Sequence, residues 1–341
     1  MTKKKQYRIL ISRPDRVGDV VLSTPIPREI KKTFPDAFVA VLVRSYTQDI
    51  YLNNPYVDEI IIADDILSGP KKKFFKWIKK IRRYKFTHAL MLLPNERINY
   101  LLFLSGIKTR VGVGHKFYQF ITGTKSVSRN KYIPLRHEAD YCMDLARKIG
   151  VETNDLTTEI HLSSAEKNHS EKIKKELMGD KKYLVGVHST SGNSAPNWTT
   201  NEYKKLIKQL KQNRFFQVVI TDNIVPPELN GIDGLYYPNV DSSLRESIIN
   251  FNALDLLISA STGPMHICSA LKVKTVSLFC PLTACSPKLW GPLGNESTVI
   301  LPTEGYCQTK CPGDPKKCTF TGDGGIEVNR VALEAEKMLA H

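Results

Sequence analysis

Short apolar runs alternate with amphipathic stretches along the whole chain, and this alternation predicts strands and helices in βα order. Tyr7-Arg8-Ile9-Leu10-Ile11-Ser12 reads as a strand. After Arg13-Pro14-Asp15-Arg16-Val17-Gly18-Asp19, the apolar residues Val20, Val21, Ile26, Ile30 and Phe34 recur at helical spacing and end at Phe34-Pro35. Phe38-Val39-Ala40-Val41-Leu42-Val43 is the next strand, with others expected at 59–62, 87–92 and 109–112. Strand, helix and strand over this length make a βαβ unit, which calls for a parallel sheet covered by helices. A helix opens at Arg136-His137-Glu138, runs to Lys148 and stops at Gly150. The polar, acidic stretch 151–159, with Asn154 and Asp155, reads as a linker.

A second series follows. Strands are expected at 183–188, 216–221, 254–258, 274–279 and 298–301, with helices at 201–212 and 263–271. A last helix over 326–339 carries Val328, Val331, Ala332, Ala335 and Leu339 at core spacing. The pattern predicts an α/β fold of two doubly wound domains, 1–155 and 156–325, followed by a C-terminal helix at 326–341. Ligands of such sheets bind at the carboxyl ends of the strands, so a cleft between the domains is the expected site.

Composition narrows the function. Lys and Arg number 49 against 34 Asp and Glu, a formal net charge of +15, which points to a polyanionic partner. The most basic stretch, 71–85, places Phe74, Trp77, Ile78 and Ile81 at helical spacing, giving one apolar and one cationic face. Such a helix either packs on a sheet with its charges in water or meets anionic lipid, at about 1 kcal/mol per basic residue near the surface. Nucleic acid is the weaker partner, because no nucleic-acid motif accompanies the charge. The basic start, Met1 to Lys5, lacks the apolar core of a signal peptide, and no segment approaches a membrane span. A cytoplasmic protein, peripheral to the membrane, is therefore expected. There is no G-x-G-x-x-G and no G-x-x-x-x-G-K-[ST], which argues against a classical dinucleotide or P-loop site.

Candidate chemistry lies in two loops that follow strands. Ser261-Thr262-Gly263-Pro264-Met265-His266 joins a strand to a helix N-terminus, where unpaired N–H groups and the helix dipole favour a phosphate. The same residues also fit an ordinary N-cap before a core helix. Ser189-Thr190-Ser191 is a second hydroxyl-rich loop, and together the two can grip a diphosphate. Seven cysteines are an odd number for a disulfide framework. Cys307, Cys311 and Cys318 supply three thiolates but no clear fourth zinc ligand, so thiols in a rigid loop are favoured over a metal site.

Five segments carry a family resemblance. They are Arg13-Pro14-Asp15-Arg16-Val17-Gly18-Asp19-Val20-Val21-Leu22-Ser23-Thr24-Pro25, Ser105-Gly106-Ile107-Lys108-Thr109-Arg110-Val111-Gly112, the loop from His188 to Trp198, Thr262-Gly263-Pro264-Met265-His266, and Trp290-Gly291-Pro292-Leu293-Gly294. In this order they resemble the motifs of the bacterial ADP-heptose:lipopolysaccharide heptosyltransferases, inverting glycosyltransferases of the GT-B type.

The resemblance implies transfer of a heptose or related sugar from an ADP-sugar to a lipopolysaccharide core acceptor of the lipid A–Kdo type. It makes Asp19 the general base. Ser189, Thr190, Ser191, Asp222, Ser261, Thr262, Gly263, Pro264 and His266 become donor contacts, Asp222 or Glu228 being the acid for the ribose. Arg13, Arg16 and Gly18 are placed on the acceptor side. No cofactor and no metal are expected, since the sequence has no D-x-D for a divalent ion. The C-terminal helix is expected to pack back on the N-terminal domain. Two positions depart from the family pattern: Ser261 stands where an Asp is usual, and Pro196 where a Lys or Arg is usual. They motivate two alternatives, a transferase using another nucleotide-sugar and a non-catalytic binding homologue with a degraded donor site.

Overall fold

The apolar runs of the first half pair side by side as a parallel sheet. β1 (Arg8–Ser12), β2 (Phe38–Val43), β3 (Glu59–Ile62), β4 (His88–Met91), β5 (Thr109–Val113) and β6 (Lys125–Val127) lie in the order β3-β2-β1-β4-β5-β6, every pair parallel. The computed structural model describes residues 6–129, 132–192 and 195–340. Met1 to Lys5, and Asn193 and Ser194 of the hydroxyl-rich loop, lie outside these, as do the side chains of Lys71 and Lys72. The chain divides into two units, Met1–His161 and Leu162–His341.

Both faces of the first sheet are covered, which is why its strands read as continuous apolar runs rather than alternating ones. Leu10, Leu42, Ala89 and Met91 pack in one core with Ile78 and Ile81 of the helix Lys71–Arg83 and with Ile98 and Leu101 of the helix Glu96–Leu104. Phe74 and Trp77 are partly buried against the same core, so the apolar face of the basic helix is spent on the sheet. The helices Pro25–Thr33 and Glu138–Arg147 pack on one another and on β2, β4 and β5.

The single helix expected after β1 is in fact two, Val17–Val21 and Pro25–Thr33. Pro25 and Pro27 have no N–H to continue the ladder, and the hydroxyls of Ser23 and Thr24 turn back to the carbonyls of Val20 and Val21 at 2.7 and 2.8 Å. The stretch expected as a linker is fastened to the first unit. Arg28 donates to the Thr157 carbonyl at 2.8 Å and pairs with Asp155 at 3.0 Å, and the Glu159 N–H donates to Thr24 Oγ1 at 3.0 Å.

The second unit repeats the architecture. β7 (Tyr183–His188), β8 (Phe216–Ile220), β9 (Leu256–Ala260), β10 (Lys274–Leu278) and β11 (Ser297–Ile300) form a parallel sheet in the order β11-β10-β9-β7-β8. β9 starts two residues later than its apolar run. The Asp255 carboxylate accepts from the Leu184 N–H at 2.8 Å and from Lys174 at 2.6 Å, and Leu254 packs over β7. That overlay requires Gly186, where an added Cβ would meet a Leu254 methyl at 2.6 Å. The C-terminal helix, Val328–Ala340, places its buried residues Val331, Ala332, Ala335, Met338 and Leu339 in the core of the second unit, with Leu206, Leu210 and Ile258. Its apolar stripe faces the helix Thr200–Leu210 and strands β9 and β10. Among the described residues no helix is long and apolar enough to cross a membrane.

Candidate active site

In the first unit the chemistry gathers where β1 ends. Arg13 follows β1 directly and is only 2% exposed. Its guanidinium donates to Asp19 Oδ1 at 2.5 Å, to Glu138 Oε1 at 3.1 Å and to the Leu92 carbonyl at 3.0 Å. Glu138, itself buried, is shared with Arg129 at 2.9 Å. With Asp15 3.7 Å from the Arg13 guanidinium, three carboxylates and two guanidiniums form one ion network, which is what makes burying Arg13 and Glu138 tolerable. Asp19 sits in the first turn of the helix Val17–Val21, with its carboxylate partly exposed. Burial pushes its pKa up, and the Arg13 charge opposes that rise. The Arg13 guanidinium is held charged by its carboxylate neighbours despite burial.

This arrangement changes the expected acceptor contacts. Arg13 does not face solvent, and its donors are directed at Asp19, Glu138 and Leu92 rather than outward. Arg16, at the start of the same helix, is exposed, and Gly18 is partly buried beside it. Glu138 and Arg129 escaped the sequence reading as site residues. Glu138 lies 125 residues from Arg13, and nothing in its local pattern distinguishes it from a first-turn helix acid.

In the second unit three loops leave adjacent strands. β7 lies between β8 and β9 and pairs His188 with Ser259, so the loops at 189–191, 221–222 and 261–266 share one edge of the sheet. Asp222 is fully buried. Its Oδ1 accepts from the Thr190 N–H and hydroxyl at 2.8 and 2.6 Å, and its Oδ2 accepts from the Ser189 N–H and hydroxyl at 3.0 and 2.8 Å. Two expectations are corrected by this. Asp222 has no face to offer a ribose, whereas Glu228 is exposed on the turn after β8. The Ser189 and Thr190 hydroxyl protons are already donated, so neither hydroxyl is a phosphate donor. Asn197 ties the far side of this loop, donating to the Ser189 carbonyl at 2.7 Å and accepting from Tyr203 Oη at 2.7 Å. His188 is buried beneath the loop, and burial pushes its pKa down against the pull of Asp222. Ser191 is partly buried, and Pro196 is buried.

The helix Gly263–Ala270 starts at Thr262, whose backbone is extended and whose side chain makes no capping bond. Thr262 Oγ1 is buried without a hydrogen-bond partner among the described residues. A hydroxyl in that state at a helix N-terminus is a donor waiting for an acceptor. Pro264 occupies the first turn, Ser261 is partly exposed, and His266 is buried one turn in. The expected residues Ser261, Thr262, Gly263, Pro264 and His266 therefore lie together on this one turn. Cys318 is buried, Cys307 and Cys311 are half-buried, and all three are free thiols. Among the described residues no group of three His, Cys, Asp or Glu side chains is arranged to hold a metal ion.

Comparisons with known proteins fit this geometry. The profile of glycosyltransferase family 9 (heptosyltransferase) matches residues 74–223 and 241–318, more than half of the chain. Lipopolysaccharide heptosyltransferase 2 of Salmonella typhimurium is 23% identical over 352 residues, spanning 98% of this chain and 99% of its own. The structure of Escherichia coli ADP-heptose lps heptosyltransferase II superposes with a TM-score of 0.75 at 19% identity, covering 98% of both chains. A glycosyltransferase family 9 structure from Veillonella parvula superposes with a TM-score of 0.79 at 20% identity, covering 98% of this chain and 97% of its own. Two parallel α/β sheets with this matched span lead to one assignment: the chain belongs to glycosyltransferase family 9, the heptosyltransferase family, and is a glycosyltransferase.

Proposed function

We propose that this transferase moves a heptose or related sugar from an ADP-sugar to a lipopolysaccharide core acceptor of the lipid A–Kdo type, with inversion, at the cytoplasmic face of the membrane. The observation that carries the reading is the Arg13–Asp19 pair: a partly exposed carboxylate in the first helical turn after β1, fixed through one oxygen by a buried arginine. Asp19 Oδ2 takes the proton of the acceptor hydroxyl as its oxygen attacks the anomeric carbon. The anomeric C–O bond to the diphosphate breaks, and its electron pair leaves with ADP. The second unit meets the leaving charge with Thr262, Ser261 and Ser191, with the first-turn N–H groups of the helix Gly263–Ala270, and with His266. Pro264 sits in the first turn, where its missing N–H leaves no donor unpaired, and Asp222 holds the Ser189–Thr190 backbone in place. Arg16 and Gly18 are the acceptor-side contacts. Support comes from the relatives, whose names give ADP-heptose as donor and lipopolysaccharide as acceptor. Ser261, standing where the family pattern has Asp, favours as second reading a transferase with a different nucleotide-sugar.

The pH dependence tests the assignment of the base. Asp19 must be ionised to accept a proton, and its pKa is raised by burial. The rate therefore falls as pH drops through a value above the ordinary aspartate range. A profile of kcat/KM against pH, with ADP-heptose and a lipid A–Kdo acceptor, is expected to show an acid limb displaced upward in this way. An acid limb within or below the ordinary range would count against Asp19.

A further inference from the structure

The positive charge of this chain has one address. Residues 71–132 hold 16 of the 49 Lys and Arg but only Glu96 of the 34 acids, so this stretch carries the whole formal net charge and the remainder is neutral. In the fold its described residues supply β4, β5 and β6 and the helices Lys71–Arg83, Glu96–Leu104 and Phe117–Ile121, which pack side by side on the first unit.

These helices also expose large apolar side chains. Phe117, Phe120 and Ile121 are 78%, 84% and 55% exposed, and Phe75, Phe103 and Leu104 join them. The helix Phe117–Ile121 is inverted relative to a normal surface helix. Its inward side is polar: the buried Gln119 donates to the Val113 carbonyl at 3.1 Å, and Asn99 donates to Thr122 Oγ1 at 2.8 Å. Its outward side is aromatic and aliphatic. A soluble surface seldom presents its apolar residues in a contiguous group. Arg82 links the first two helices by donating to the Leu104 carbonyl at 2.7 Å, and the Arg110 guanidinium lies 5.1 Å from the centre of the Phe103 ring. Lys76, Lys79, Arg83, Lys108 and Lys116 are exposed around this group.

We propose that this three-helix face docks on an anionic lipid bilayer, with Phe117, Phe120 and Ile121 entering the acyl boundary and the surrounding Lys and Arg meeting the headgroups. The basic helix does not insert by itself, because Trp77, Ile78 and Ile81 are committed to the core of the first unit; the inserting residues come from its neighbours. Charge complementarity selects an anionic surface, and an apolar group ringed by cations is the pattern of interfacial binding. The exposed Phe rings are also able to stack on bases, but the aliphatic Leu104 and Ile121 among them favour lipid over nucleic acid, and the oligonucleotide measured below decides between the two.

The proposal goes beyond the transfer reaction and is tested without it, on vesicles that carry no sugar acceptor, so its failure would leave the transferase reading standing. The full-length protein is sedimented with vesicles of phosphatidylcholine alone and of phosphatidylcholine with phosphatidylglycerol, and its binding to a single-stranded oligonucleotide is measured in parallel. Wild type is expected to bind the anionic vesicles selectively. The double variant Phe117→Ser, Phe120→Ser is expected to bind them about tenfold more weakly or worse, with an unchanged melting temperature. The double variant Lys76→Glu, Lys79→Glu is expected to lose much of the preference for anionic lipid. The proposal is overturned if wild type does not bind the anionic vesicles, if the Phe variant binds as wild type does, or if the oligonucleotide is the preferred ligand.

Discussion

Asp19→Asn is expected to slow sugar transfer by about 10²–10⁴-fold, the usual contribution of a positioned general base, with fold and donor affinity unchanged. The substitution is nearly isosteric. Arg13 keeps its bonds to Glu138 and to the Leu92 carbonyl, so the buried guanidinium stays paired when the Asp19 charge is removed. What is lost is the lone pair that takes the acceptor proton. Because the proposed donor contacts lie in the second unit, donor binding measured by calorimetry separates loss of the base from loss of the fold. A variant with wild-type turnover would remove Asp19 from the mechanism.

Asp222→Ala is expected to cost about 2–4 kcal/mol of stability and to abolish measurable donor binding. Four buried or half-buried donors, the N–H and hydroxyl of Ser189 and of Thr190, converge on this carboxylate. Leaving one such donor unpaired costs about 1–3 kcal/mol, and part of this is recovered when the loop relaxes into water. The relaxed loop no longer holds its shape beside the turn at Thr262. Urea unfolding monitored with nucleotide titration reads both effects. An unchanged midpoint together with unchanged donor affinity would mean that the loop is held by something other than Asp222.

The parts of the fold that were legible are those where burial leaves a local trace. β2, β3 and β7 coincide with their apolar runs because both faces of a parallel sheet are covered. β6 left no such trace: Lys125-Ser126-Val127 is a three-residue edge strand with one apolar side chain. The helix Ser164–Met178 was invisible to periodicity because Ser170 is its one fully buried residue. It is organised by its start, where Ser163 and Glu166 cap one another and Arg245 holds Glu166 at 2.7 Å, drawing that carboxyl down to about 2.

The site divides in the same way. Asp19, Thr262 and His266 stand just after strands, in motifs that can be read locally. The partners that decide what they do cannot: Glu138 reaches Arg13 across 125 residues, and Asp222 reaches Ser189 across 33. Arg13 and Ser189 consequently read as ligand contacts in the sequence and prove to be fixed by protein carboxylates in the fold.

The most direct test of the central claim is a calorimetric donor screen of wild type and His266→Ala against ADP-heptose, ADP and the UDP- and GDP-sugars. The expected result is preferential binding of ADP-heptose by wild type, weakened in the variant. Failure of wild type to bind any of these nucleotide-sugars would contradict the account, and preference for a UDP- or GDP-sugar would contradict its assignment of the donor.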